Sequence, residues 1–367
     1  MSQSERKVAF ISAVTLLCST LEFLIPKPLP FLRLGLANLP LLLILDFIDL
    51  PSFLAILLLK VIGQGMVSGT LFSYLILISL AGTLSSGLAM YAAKRLLKTH
   101  VSLVGVSLIG AFTSNLSQIA VAALVAYGSA IWIAAPLMLS LGLATSLVLG
   151  LFAERYRRRG TFTARFADPS FILELPAMTE RTGQGVATIA VMVAIAAIIA
   201  AEGLGALGAI VLLSFAMQTA CRRRVRLGPP AALLLSLLLL SLVEPNGRVL
   251  LSLGSIAITE TALLNALTKA LRLIALVSAS QALVGTNPPL RGKAGSILVL
   301  TLAYFARLTH SFRHTQGSII ERVDQALERA TGEDAAPTER AKPVHTPILL
   351  VLVTLIVATA AISRFLQ

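Results

Sequence analysis

Charge is what this chain has least of. Only 13% of its 367 residues are Asp, Glu, Lys or Arg, while 56% are hydrophobic. An ordinary soluble domain is about 25% charged, and the mean hydropathy here is +0.88. That balance excludes a conventional water-facing surface. Cysteine is almost absent: Cys18 and Cys221 each lie within or at the end of an apolar block, which excludes a disulfide framework and a cysteine metal cluster. Four histidines remain, and only His310 and His314 stand at i, i+4. No Glu follows the first, as a zinc-protease helix would need, so a solvated basic helix is expected there.

Other catalytic signatures are missing too. The stretch "GTNPPLRGKAG" (285–295) places six residues between Gly285 and Gly292-Lys293, and Ala294 follows. A phosphate-binding loop needs four, then Ser or Thr. Asp46 and Asp49 in "LDFIDL" have no second aspartate cluster to share magnesium with, so a cap and a turn are expected of them. No catalytic residue, no metal and no directly bound cofactor are assigned.

What is present is a series of long apolar blocks, as bilayer-spanning helices require. The fold class predicted is all-α: a polytopic helical membrane protein of about eleven transmembrane helices in two bundles, in contact with the lipid bilayer. The opening "MSQSERKVAFISAVTLLCSTLEF" has a charged start and an apolar run, but no small-residue cleavage site follows. It reads as a retained first helix.

The net charge of +13 is concentrated in "SERK" (4–7), "KRLLK" (94–98), "ERYRRRG" (154–160), "CRRRVR" (221–226) and "RGK" (291–293). Each cluster ends an apolar block, which is how cytoplasmic loops are marked. These are topology signals and anionic-lipid contacts, and no nucleic-acid partner is expected. Threading the chain on them puts the N-terminus in the cytoplasm and gives spans at about 8–25, 35–49, 51–63, 68–93, 101–127 and 131–152. Spans two and three are short and Pro-punctuated, as broken or tilted helices would be.

The polar segment 156–185 is the clearest boundary. It separates a six-helix domain (1–155) from a second membrane domain (186–367). The second domain has apolar blocks at about 186–201, 204–220, 231–243 and 248–285, and a final span at 348–363. Between the last two lie charged amphipathic helices, about 294–345, whose residues 295–306 could form either a further span or an interfacial helix. Ile319, Ile320, Val323 and Leu327 recur at spacings of 3 and 4, the pattern of a surface helix with one apolar stripe.

The oddest stretch is "LEFLIPKPLPFLRLGLAN" (21–38), where prolines and polar residues interrupt the apolar run. Irregular backbone at a membrane is tolerated only inside protein or along a cavity. A structured loop at the outer face is expected, with Glu22, Arg33 and Asn38 lining a site and Lys27 snorkelling.

This motif, from Leu21 to Asn38, resembles the signature of the Gx transporter family, also called heptaprenyl diphosphate synthase component I. That family is similar in fold to the substrate-binding S components of energy-coupling factor transporters. "SYLILISLAGTLSSGLAMY" (73–91) matches the family's serine- and glycine-rich fourth helix. The resemblance implies a membrane-embedded pocket for a small-molecule substrate, in a bacterial cytoplasmic membrane. It also implies that Ala9 and Ala13, a small-xxx-small pair, dock helix one on a partner domain.

Residues 247–290 are similar to part of the T component of the same transporters, with Arg272, Ser280 and the following Thr-Asn-Pro as shared features. Lys269 and Arg272 can equally be read as a helix end reaching the cytoplasmic interface. The resemblance implies a scaffold whose cytoplasmic helices sit on a pair of ABC-type ATPases, with ATP consumed by those partner subunits. The family's Ala-Arg-Gly contact motifs do not occur in 286–347. Arg307, Arg313 and Arg322 are the nearest candidates for the coupling contacts. The alternative carried by the family's second name is a non-catalytic membrane subunit of a prenyl diphosphate synthase, holding a soluble catalytic partner.

Overall fold

The computed structural model describes residues 2–24, 34–168, 171–176, 184–225, 231, 234–235, 237–239, 248–253, 256–286, 288, 292–313, 319–331 and 344–365. Apart from one two-stranded hairpin, the regular structure among them is helical. Helices satisfy every backbone group within the segment, which a hydrocarbon environment demands.

The first half begins with α1 (Gln3–Leu24). A 3₁₀ turn at Leu36–Asn38 leads into α2 (Leu39–Ile44). Then come α3 (Leu50–Ser68), α4 (Leu75–Leu97), α5 (Leu103–Ala122) and α6 (Ile131–Arg159). The expected second span is therefore broken. Its six-residue α2 rises about 9 Å, far short of the ~30 Å hydrocarbon core. At the junction with α3 the Asp49 carboxylate caps the helix by accepting from the Ser52 N–H at 3.1 Å. Asp46 pairs with Lys94 at 3.2 Å and with Arg157. Both aspartates thus serve the cap and the turn. A single π turn, Ala123–Tyr127, ends α5.

After α6 come the short α7 (Phe162–Ala167), then α8 (Gly185–Ala200) and α9 (Leu204–Ala220). The predicted block 231–243 falls largely outside the described residues. The apolar stretch from 248 does not run on as one element. Strands β1 (Val249–Leu253) and β2 (Ile256–Thr259) pair antiparallel, and α10 (Glu260–Gly285) follows. Val249, Ile256, Ile258 and Thr259 are β-branched, which suits a pleated ribbon better than a helix. The chain closes with α11 (Gly292–Arg313), α12 (Ile319–Thr331) and α13 (Thr346–Phe365).

Among the described residues six helices are long and apolar enough to cross a membrane: α3, α4, α5 with its π turn, α6, α10 and α13. Helices α8 and α9 are apolar but shorter. In the second half α8, α9, α10 and α13 bury one another through residues such as Val191, Leu207, Ala275 and Ile356.

The halves meet in two places. Ile78, Ile119, Ile131 and Met138 of the first half share a cluster with Ala270, Leu273 and Val277 of α10. At the other end α11 lies along α1, where the Phe10 and Tyr304 rings meet edge-on at 5.4 Å. Helix α12 is amphipathic as expected, but its stripe does not face open water. Leu327 is buried in the cluster of α1 and α6, with Val323 and Ile320 packed on it.

Asp324 makes that docking specific. Its carboxylate accepts from the Tyr156 hydroxyl at 2.5 Å, from the Thr161 N–H and hydroxyl at 2.8 Å each, and from the Phe162 N–H at 3.3 Å. Burial by itself would raise this carboxyl's pKa. The Tyr156, Thr161 and Phe162 donors outweigh it and hold the group below the usual carboxylate range.

Candidate functional site

Four apolar helices of the first half each carry a short polar stripe, and the stripes converge. Helix α3 brings Lys60 and Gln64, one turn apart; α4 brings Thr83 and Ser86; α5 brings Ser114, Asn115 and Gln118; α6 brings Ser146. Together with Ser19 and Glu22 of α1 and the turn Leu34–Asn38, most of these side chains line one cavity of about 460 Å³, counted with its opening.

Two ionisable groups anchor it. Lys60 sits near the middle of α3 and is 2% exposed; Glu22 is 5% exposed. A lysine at the centre of a membrane helix costs about 2.5–3.5 kcal/mol on insertion scales, so it persists only where the protein meets its donors. Its Nζ donates to Asn38 Oδ1 at 2.8 Å, and Asn38 Nδ2 donates to Ser86 Oγ at 3.3 Å. Glu22 Oε1 accepts from the Leu34 N–H at 2.7 Å, which fixes the end of the irregular stretch beside the pocket.

The fit depends on glycine. Gly35 has φ +87°, a backbone conformation that side chains disfavour, and this turn delivers Asn38 to Lys60. Across the pocket, Asn115 Nδ2 donates to the Met138 carbonyl at 2.8 Å and Gln118 Nε2 to Ser114 Oγ at 2.8 Å. A Cβ on Gly142 would lie 2.0 Å from Asn115 Nδ2, and one on Gly82 would lie 2.6 Å from Gln118. The amides thus occupy space that only a missing side chain leaves open. Gln118 Oε1 and Gln64 Oε1 are buried acceptors without a hydrogen-bond partner among the described residues.

Of the residues expected at a site, Glu22 and Asn38 line this cavity, while Arg33, like Lys27, lies outside the described residues. Asn38 is half-buried and bonds the side chains of Lys60 on α3 and Ser86 on α4. Ala9 and Ala13 are fully buried in the cluster that also holds Leu300, Tyr304 and Leu308 of α11. Arg307, also on α11, is 5% exposed, and its Nε and Nη2 have no partner among the described residues. The Arg322 guanidinium lies 5.5 Å from the Phe312 ring centroid, and Arg313 ends α11. Arg272 Nη2 donates to the Ala201 carbonyl at 2.8 Å, inside the second bundle.

Sequence reading missed Lys60, Gln64, Asn115 and Gln118. The signal was present in Lys60. It is the one charge in "LPSFLAILLLKVIGQGMVS", and an ionisable residue that deep in a span is a site by default.

The helical architecture defines a multi-pass membrane protein, with a polar cavity between its helices. Residues 11–156 match the family model described as heptaprenyl diphosphate synthase component I. Residues 179–285 match a second model, a domain of unknown function (DUF8519). No curated protein and no solved structure matches the chain.

Proposed function

We propose that this protein takes up a small polar molecule across a bacterial cytoplasmic membrane, with its N-terminus in the cytoplasm. Residues 1–155 bind the substrate in the manner of an S component, and 156–185 link them to a T-like scaffold, 186–367. The observation that carries this reading is the Lys60–Asn38–Ser86 line of hydrogen bonds beside Glu22, within a cavity between membrane helices. A buried charge held by hydrogen bonds, with unpaired acceptors nearby, suits a ligand with both donor and acceptor groups.

In this reading Glu22, Asn38 and Lys60 bind the substrate, and Arg33 contributes from the preceding loop. Helices α11 and α12 carry the coupling role within 294–345. There Arg313 and Arg322 are the contacts to a pair of ABC-type ATPases, and the buried Arg307 supports α11 from within. ATP is consumed by those partners, and the chain has no enzymatic role of its own. Docking of α11 on the face of α1 that holds Ala9 and Ala13 ties substrate binding to coupling. Because the halves are one chain, their association is intramolecular and their effective concentration high.

The test is purification from native membranes in mild detergent, with mass spectrometry of what accompanies the protein. Two ATPase subunits and a polar small molecule are expected. A soluble prenyl diphosphate synthase subunit without ATPases would overturn the transport reading and make the chain a membrane anchor for that enzyme.

A further inference from the structure

Below the polar pocket, toward the Asp46 turn, lies a second cavity of different character, about 610 Å³ with its opening, whose walls are apolar. Val14 and Cys18 of α1, Leu43 of α2, Phe152 of α6, Phe166 of α7 and Val323 of α12 represent its sides. Its origin is the truncation of the second span, because the six residues of α2 leave unfilled the volume that a full helix would take. With no polar wall to hold water, this space suits an apolar occupant.

Basic residues cluster beside it. Tyr156, in the wall, is followed directly by Arg157, Arg158 and Arg159, all exposed at the end of α6. Lys7 lies 5.4 Å over the ring of Phe166, another wall residue. Three of the nearby acids are already engaged: Asp46 pairs with Lys94 and Arg157, Asp324 is bonded by Tyr156 and Thr161, and Glu328 pairs with Arg165. An apolar slot beside a row of arginines is complementary to a molecule with a hydrocarbon tail and a negative head.

We propose that this groove holds one acyl chain of an anionic phospholipid, its phosphate resting on Arg158 and Arg159. The lipid would act as a structural filler between α1, α2 and the docked α12, separate from the substrate in the polar pocket.

The experiment is native mass spectrometry of the full chain after delipidation and reconstitution into nanodiscs of phosphatidylglycerol or phosphatidylcholine. One retained phosphatidylglycerol per chain is expected, with phosphatidylcholine retained about tenfold less, since its choline cation offsets the phosphate charge and is repelled by the arginines. Leu43→Trp, which fills the slot, should lower phosphatidylglycerol retention by about tenfold or more, because several methylenes lose their burial. The double variant Arg158→Glu, Arg159→Glu leaves the slot intact and should erase the preference between the two lipids. Size-exclusion profiles establish that each variant is folded. Equal retention of both lipids by the unaltered protein, or undiminished phosphatidylglycerol retention in folded Leu43→Trp, would overturn the proposal. So would selective retention of an added prenyl diphosphate in place of phospholipid.

Discussion

Lys60, near the middle of α3, donates a 2.8 Å hydrogen bond to the side chain of Asn38, 22 residues earlier in an irregular turn. Their bond holds that turn inside the helix bundle. Neither residue could be buried alone at acceptable cost, because each supplies what the other lacks.

Replacing Lys60 with Met removes a charge-assisted contact, worth about 1.5–3 kcal/mol. The small molecule that accompanies the purified protein should fall by about tenfold or more, as quantified by mass spectrometry. Asn38 Oδ1 is then stranded, so the melting temperature should drop as well. The double variant Lys60→Met, Asn38→Leu should recover stability, since removing both partners of a buried hydrogen bond is nearly neutral, but not the ligand. Recovery of both would make the pair purely structural.

Gly142→Ala places a methyl group where Asn115 Nδ2 now lies, 2.0 Å away. The amide must swing off the Met138 carbonyl or the helices must part. A destabilisation of about 1–3 kcal/mol is expected for such overpacking, visible as a lower melting temperature in detergent. An unchanged melting temperature would mean that α5 and α6 are less tightly juxtaposed than described.

Asp324 makes the docking of α12 pH-dependent in a defined direction. Its folded pKa is depressed, so its contribution is complete above the unfolded value of about 3.9 and is lost as pH falls through the lower folded value. Hydrogen-exchange protection in 319–331, corrected for the intrinsic pH dependence of amide exchange, should be flat from neutral pH down to about 5 and fall only in stronger acid, which is the rise in corrected exchange to be measured. Tyr156→Phe removes the 2.5 Å donor and should move that rise to higher pH. Accelerated exchange already near pH 6 would contradict the assignment.

Ala9→Leu adds three carbons at a fully buried position in the cluster shared with Leu300, Tyr304 and Leu308. Halves expressed as separate chains, 1–155 and 186–367, should co-purify less with this substitution. A loss of about 1–3 kcal/mol corresponds to roughly 5- to 150-fold in affinity. Unimpaired association would remove Ala9 from the docking surface.

Much of the outline was legible beforehand because bilayer physics writes itself in long, simple signals. Spans at 131–152, 204–220 and 348–363 correspond closely to α6, α9 and α13, although α6 extends seven residues further, to Arg159. The cap at Asp49 and the amphipathic stripe of α12 were local patterns and appear as such. The β1–β2 hairpin was not legible, because hydropathy cannot separate a short apolar strand from a helix where the alternation is weak.

The sequence by itself determined the class: too few charges for a water-facing surface, basic clusters at block ends, and a proline-rich break that had to line something. It also pointed to Glu22 and Asn38. Only the tertiary structure decided what they face. Lys60 and Gln64 lie on α3, Asn115 and Gln118 on α5; each is diluted by apolar neighbours, and their convergence is a property of helix packing rather than of any local pattern. The same holds for α12, whose stripe was visible but whose partner was not. Tyr156 and Asp324 are 168 residues apart, and nothing short of the folded chain brings a hydroxyl to that carboxylate.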